Sequence, residues 1–219
     1  MYWRLSDTVT FCVASDRILF LDVQRDRYFA LPPIHEEAFL AWLGPSGRVL
    51  PGPCRDLLRD CGLLDSDRSG EPVATPCQVV APTTVDAEPL PPQPIRPAAM
   101  VGVGRAVLSA WHDVRSRPLG AILARRLSKN AFSEPAGTAR EPKVAEFRTI
   151  RPLIPVPRVC LHDCLALLDW LGPERRQAQL VFGVSAYPFA AHCWVQVDGA
   201  VLDDHPDSPS RFQPILHFP

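Results

Sequence analysis

Apolar residues come in short runs separated by polar turns in the first third of the chain. Runs of four to six such residues are typical of strands, and apolar residues three or four positions apart are typical of helices. The predicted elements are strands at Val9–Val13, Ile18–Val23 and Tyr28–Leu31, then helices at Ile34–Leu43 and Cys54–Leu64. Three strands followed by short helices predict a small winged-helix-like β-hairpin/helix domain over residues 1–70.

Proline interrupts this pattern between the two parts of the chain. The segment from Ser69 to Pro97 is dense in proline and shows no helical spacing. Because proline lacks an N–H and fixes φ, the segment can form neither a helix nor a central strand. We therefore predict a linker of polyproline character over residues 71–97, followed by a second domain over residues 98–219.

In the second domain, helical spacing comes first and strand-like alternation follows. The predicted helices lie within 98–129, with a break near Pro118, at 144–150 and at 160–171. The predicted strands lie at 179–185, 192–197 and 200–203, with an Asp-Gly hairpin turn before the last and a further edge strand in the tail. Helices followed by antiparallel strands predict an α+β fold.

Composition and charge exclude several classes of function. The 219 residues are 47% hydrophobic and 21% charged, with a formal net charge of −1, which disfavours binding to nucleic acid through phosphate contacts. No apolar run reaches the ~18 residues of a membrane span, and the N-terminus lacks the pattern of a signal peptide. We expect a cytoplasmic protein whose seven cysteines, an odd number, are reduced thiols.

Cys160, His192 and Asp204 have the residue types and the placement of a catalytic triad. Cys160 begins a predicted helix, where unpaired N–H groups favour a thiolate, and nearby Arg158 would add to this effect. His192 opens a strand, and the hairpin turn brings Asp204, or the aspartate before it, back beside the imidazole. The pattern predicts a thiolate that attacks a carbonyl, an imidazole that transfers the proton and a carboxylate that orients the ring.

The other cysteines and histidines near the triad have simpler interpretations. Cys164 lies one turn after Cys160 on the same helix face and is predicted to be core, whereas His162 is off that face and is expected to be solvated. Cys193 points away from His192 and is predicted to pack in the sheet. A zinc site made of these groups is disfavoured, because neighbouring strand residues point to opposite faces. We therefore predict no metal and no cofactor.

Three segments resemble the lasso peptide leader peptidases, transglutaminase-like cysteine proteases of peptide natural-product biosynthesis. They are CLHDCLALLDWLG, LVFGV and FAAHCWVQVDGAVLDD, which begin at Cys160, Leu180 and Phe189. They are similar to the family's cysteine-leucine helix start, its Ile/Val-Gly-Val strand, and its Ala-His-x-Trp-Val-Glu-Val-Asp-Gly strand and turn with a closing Asn-Asp. The resemblance implies a transglutaminase-like (papain-like) domain with Cys160 as nucleophile, His192 as base and Asp204 as orienting acid.

Two positions depart from the family's pattern. Gln196 stands where the family has glutamate, and we interpret this position as a surface site. His162-Asp163-Cys164 stands where a basic residue usually follows Cys-Leu-x.

The N-terminal segment ILFLDVQRDRYFALPP resembles the β-hairpin of the small peptide-recognition domains of the same pathways. Those domains bind a leader peptide as an added strand, and in many lasso systems they are separate from the protease, whereas here the two look fused. We expect the peptide to pair with the third strand, at Tyr28, Phe29, Ala30 and Leu31, beside the adjoining helix. It also implies two partners, which are a ribosomally made precursor peptide and a separate ATP-using macrolactam cyclase.

Two other functions remain open at this stage. One is a transglutaminase-like acyltransferase or amidase, since the same triad activates any acyl centre. The other is a non-catalytic binding protein in which a winged helix is joined to a degenerate domain, although the near-neutral charge disfavours DNA as its ligand.

Overall fold

A computed structural model describes residues 2–44, 49–67, 77, 94–130, 140–175, 178–202 and 209–218. The strands in these ranges are β1 Tyr2–Leu5, β2 Val9–Ala14, β3 Arg17–Asp22, β4 Arg27–Ala30, β5 Leu64–Asp67, β6 Gln179–Ala186, β7 Phe189–Val197, β8 Ala200–Val201 and β9 Gln213–Phe218. The helices are α1 Pro33–Leu43, α2 Gly52–Asp60, α3 Pro97–Ser116, α4 Leu119–Asn130, α5 Arg140–Ile150 and α6 Cys160–Leu171. The predicted α+β class is confirmed, and none of the described helices is both long and apolar enough to cross a membrane.

Helix α2 is shorter than the sequence pattern predicts, and the reason is a glycine. The prediction carried this helix to Leu64, but Gly62 adopts a φ of +72°, the left-handed conformation that ends helices. The N–H of Leu63 then donates to Leu58 O at 2.9 Å and the N–H of Gly62 to Arg59 O at 2.8 Å, which closes the helix. The chain leaves as strand β5, which pairs antiparallel with β1, a small sheet that the sequence analysis missed.

The N-terminal three-stranded sheet, ordered β2-β3-β4, is buried on both faces. One face carries Phe11 and Phe20, whose rings meet the Phe39 ring of α1 edge to face at 5.4 and 5.2 Å. The opposite face carries Leu19 and Leu21, which pack into the same hydrophobic core as the C-terminal helices and strands. The N-terminal sheet is therefore a layer between two cores.

The C-terminal sheet is antiparallel and has the strand order β8-β7-β6-β9. The tail forms the edge strand β9, as predicted, and the Asp198-Gly199 turn has φ values of 50° and 84°, which suit the tight hairpin that joins β7 to β8. Helix α6 packs against β7 and α3, and most of its residues are buried. Most of the predicted linker, residues 71–97, lies outside the described residues, so the division into domains stays a prediction.

Candidate active site

One buried arginine fixes the segment that leads into α6. Arg151 is only 1% exposed, and its guanidinium donates to the carbonyl oxygens of Val156 and Pro157, each at 3.1 Å. It also donates to Asp163 Oδ1 at 2.6 Å, inside the first turns of α6. The proline-interrupted segment and the helix start are thus held by a single side chain. A lone basic residue among prolines gives no sequence signal, and the sequence analysis did not identify it.

Two polar residues in the first turn of α6, His162 and Asp163, face inwards rather than towards solvent. Asp163 is buried and forms an ion pair with Arg151. It stands where the family usually has a basic residue, and its charge is balanced inside the protein. His162 is also buried, which makes the expectation of a solvated ring wrong, and its ring donates to the Pro157 carbonyl. Arg158 Nε donates to Asp163 Oδ2 at 3.3 Å, so this guanidinium is drawn to a carboxylate.

Helix α6 begins at Cys160, as the sequence predicts. The preceding residue, Val159, is extended, with φ −132° and ψ 132°, and among the described residues no side chain caps the helix. The first amides of a helix have no partner within it, so the N–H groups of Cys160 and Leu161 are available to an anion or a carbonyl oxygen.

Two of the three predicted catalytic residues meet in the structure. The Cys160 thiol is hydrogen-bonded to the His192 ring, and this bond acts to lower the pKa of the thiol. A backbone hydrogen bond with Cys193 also lowers it, which identifies the Cys193 N–H as the donor, since only donation to sulfur favours the thiolate. Both Cys160 and His192 are half-buried. The thiol therefore lies beside β7, within reach of a base.

The pKa of Cys160 is nevertheless raised well above its ordinary value. The largest cause is a side-chain hydrogen bond to the Cys193 thiol, and burial is the second. The expectation that the helix start and Arg158 make Cys160 a thiolate is wrong for this structure. Both causes favour the neutral thiol over the thiolate, so a general base has to accept the proton as the sulfur attacks.

Cys193 also contacts the second cysteine of α6. Its Sγ lies 3.8 Å from Cys164 Sγ, and the Cys164 thiol donates to the Cys193 carbonyl oxygen at 3.3 Å. Cys164 is fully buried, as predicted. No group of three or more His, Cys, Asp or Glu side chains in the described parts of the chain is arranged to hold a metal ion.

An aromatic cluster supports the His192 ring. The ring stacks on Trp194, with centroids 6.2 Å apart, and is tilted against Phe212 at 5.1 Å. Gly183 lies opposite His192 on β6, and a Cβ there would come within 2.7 Å of the Trp194 ring and 2.8 Å of Phe212 Cβ. The glycine of the LVFGV segment therefore makes room for the rings on which the imidazole rests.

Gln196 belongs to the same cluster and is fully buried, so the interpretation of this position as a surface site is wrong. Its Oε1 accepts the indole N–H of Trp194 at 2.7 Å, and its amide group donates to Gln179 Oε1 at 3.4 Å. A neutral amide satisfies the indole without burying a charge.

The third predicted catalytic residue, Asp204, lies outside the described residues, as does Asp203. The structure describes the hairpin as far as Leu202. The N–H of this residue donates to the Val195 carbonyl oxygen of β7 at 2.8 Å. The role of Asp204 as the orienting acid stays a prediction.

The predicted peptide-binding residues lie on or next to β4, which is an edge strand of its sheet. Tyr28 and Phe29 are half-buried, and Ala30 is exposed. Leu31 follows the strand and is fully buried, with its N–H donating to Ile18 O at 2.9 Å. The side chain of Leu31 is therefore committed to the core, and the open part of the edge is formed by the other three residues.

A family model described as the transglutaminase-like superfamily matches residues 99–217, which is more than half of the chain. Comparison with curated proteins and with solved structures gives no match. The matched region runs from α3 to β9 and contains both Cys160 and His192. Members of this superfamily are typically cysteine-based enzymes, in agreement with a thiol and an imidazole in contact at a helix start. The chain belongs to the transglutaminase-like superfamily.

Proposed function

We propose that this protein is a cysteine peptidase that removes the leader from a ribosomally made precursor peptide. The transglutaminase-like domain fits a cysteine protease or an acyltransferase type of activity. The observation that carries the proposal is the contact between the Cys160 thiol and the His192 ring at the uncapped start of α6. The resemblance of the segments around both residues to lasso peptide leader peptidases supports the choice of peptide substrate.

In the proposed mechanism, Cys160 Sγ attacks the carbonyl carbon at the leader–core junction while His192 takes the thiol proton. The oxyanion that forms accepts hydrogen bonds from the free amides of Cys160 and Leu161. His192 then protonates the leaving nitrogen, so the core peptide departs with a free α-amine and the leader stays as a thioester. Water, activated by the same imidazole, hydrolyses the thioester and returns the thiol.

Strand β4 has an edge that suits capture of an extended peptide. Because Leu31 pairs with Ile18 through hydrogen bonds, alternation along the antiparallel ladder points the backbone groups of Arg27 and Phe29 towards β3. The backbone N–H and C=O of Tyr28 and Ala30 then face the open edge. A peptide added there gains main-chain hydrogen bonds, and its alternate side chains enter neighbouring pockets.

The products also define the next step. A free α-amine on the core peptide is the nucleophile that a separate ATP-using macrolactam cyclase needs. The proposed partners are therefore the precursor peptide, which binds directly, and a cyclase, which consumes the released core.

Incubation of the full chain with candidate precursor peptides, followed by mass spectrometry, tests the proposal. We expect hydrolysis at one bond, which yields a leader with a free carboxylate, and no cleavage by the Cys160→Ala variant. Cys61→Ala, in a half-buried thiol of the N-terminal part, is the matched control and should cleave like the wild type. Cleavage by Cys160→Ala would refute the proposal, and transfer of the acyl group to an added amine in place of hydrolysis would identify an acyltransferase.

A further inference from the structure

The N-terminal sheet is tied to the hairpin that carries His192. Arg17, on β3, donates from Nη1 to the Tyr187 hydroxyl at 2.6 Å, and Tyr187 lies in the turn between β6 and β7. The same guanidinium bonds to Glu36 Oε1 at 2.8 Å and to Leu31 O at 3.0 Å. The end of β4 and the β6–β7 turn are thus held by one cation.

Tyr28 of β4 lies at this junction and faces the catalytic domain. It is paired with Leu21, whose side chain belongs to the C-terminal core, and it packs against that core together with Cys160. Its ring meets the ring of Phe189 edge to face at 5.6 Å, and Phe189 is three residues before His192 on β7. A residue of the N-terminal sheet therefore forms one side of the space around the thiol.

The hydroxyl of Tyr28 is suited to donate a hydrogen bond there. Burial raises the pKa of this phenol, and interactions with Cys193, Asp26 and Cys160 raise it further, so the hydroxyl keeps its proton at neutral pH. Tyr28 and Cys160 pack against the same core, and the contact with Phe189 sets the Tyr28 ring against β7, the strand that carries His192.

We infer that Tyr28 is a residue of the active site that donates a hydrogen bond from its hydroxyl to a carbonyl oxygen of the peptide substrate beside Cys160. The inference rests on the proposed function, because it takes Cys160 as the nucleophile. Tyr28 then has two roles. Its backbone groups pair with the peptide at the open edge of β4, and its side chain positions the same peptide at the thiol. The N-terminal sheet takes part in the cleavage step as well as in capture.

The Tyr28→Phe variant of the full chain tests the hydroxyl while keeping the ring contact with Phe189. With the precursor as substrate, we expect kcat to fall at least about tenfold, as for loss of a hydrogen bond to the reacting carbonyl. Tyr187→Phe is the matched control, because it removes a hydroxyl at the same junction from a side chain that is 68% exposed. An unchanged kcat for Tyr28→Phe would overturn the inference.

Alkylation of Cys160 separates this inference from the proposed function, because it needs no peptidase activity. We expect Tyr28→Ala to raise the rate with a bulky maleimide several-fold and the rate with iodoacetamide much less, whereas Tyr28→Phe leaves both rates unchanged. If folded Tyr28→Ala reacts like the wild type, Tyr28 does not border the thiol and the inference fails. If the bulky reagent gains access but no precursor is cleaved by the wild type, the place of Tyr28 is supported and the peptidase proposal fails.

Discussion

Replacement of Cys193 by alanine should make Cys160 more acidic and more reactive. The hydrogen bond to the Cys193 thiol is the largest of the causes that raise the pKa of Cys160, and the bond to His192 acts in the opposite direction. Cys193→Ala removes the first and leaves the second. It also leaves the Cys193 backbone N–H, which favours the thiolate. The equilibrium between thiol and thiolate at Cys160 therefore shifts towards the thiolate.

The size of the effect follows from the titration law. Each unit by which the pKa of Cys160 falls raises the thiolate fraction at neutral pH about tenfold, since the thiol remains mostly protonated there. The variant also loses a buried sulfur that is 3% exposed and touches Cys164 Sγ at 3.8 Å, so we expect a loss of stability of about 1 kcal/mol.

The assay is the pH dependence of iodoacetamide alkylation at Cys160, with the modified residue located by peptide mass mapping. We expect the midpoint of the profile to move to lower pH and the rate at pH 7 to rise about tenfold for each unit of that movement. Cys54→Ala is a matched control, because Cys54 is another fully buried thiol but lies in α2, on the N-terminal core. A folded Cys193→Ala protein with an unchanged midpoint would refute the reasoning.

Three further predictions concern buried residues, two near the site and one in the N-terminal sheet. Gly183→Ala should push against the Trp194 ring, lower the free energy of unfolding by about 1–3 kcal/mol and slow alkylation of the proposed nucleophile; a wild-type melting temperature and rate would contradict this. Arg151→Met should leave Asp163 charged and buried and cost about 3–5 kcal/mol in urea unfolding, part of which should return when Asp163→Leu is added. Burial raises the pKa of Cys12 from 9.0 to about 12, so the folded state holds this proton more tightly than the unfolded state does. Between these values the free energy of unfolding should therefore fall as pH rises, by about 1.4 kcal/mol per pH unit from this thiol, and Cys12→Ala should flatten the slope.

Features set by local periodicity could be predicted from the sequence. Helical spacing places Cys160 at a helix start, alternation places His192 on a strand, and the Asp198-Gly199 turn defines the hairpin. Each of these depends on residues within a few positions of one another. The contact between the thiol and the imidazole joins two elements that each follow from local pattern, but it exists only in the folded chain.

Features set by distant contacts could not be predicted in this way. Strand β1 pairs with β5 across some sixty residues of chain, and neither has a strongly apolar pattern. Burial of Gln196 depends on the indole of Trp194, and the role of Arg151 depends on two carbonyl groups and a carboxylate that only the folded chain brings together. The contact of Tyr28 with Phe189 requires the N-terminal sheet to pack on the C-terminal one, which no short pattern encodes.

Because both faces of the N-terminal sheet are buried, we expect the two halves of the protein to assemble even without a covalent connection between them. If the gene were cut within residues 71–93, each product would carry an uncovered apolar surface, formed on one side by Leu19 and Leu21. Water would drive the two polypeptides together, and co-expression should give a tight heterodimer with the thiol chemistry intact. A one-chain and a two-chain form of this protein would then differ in their genes and not in the surroundings of Cys160.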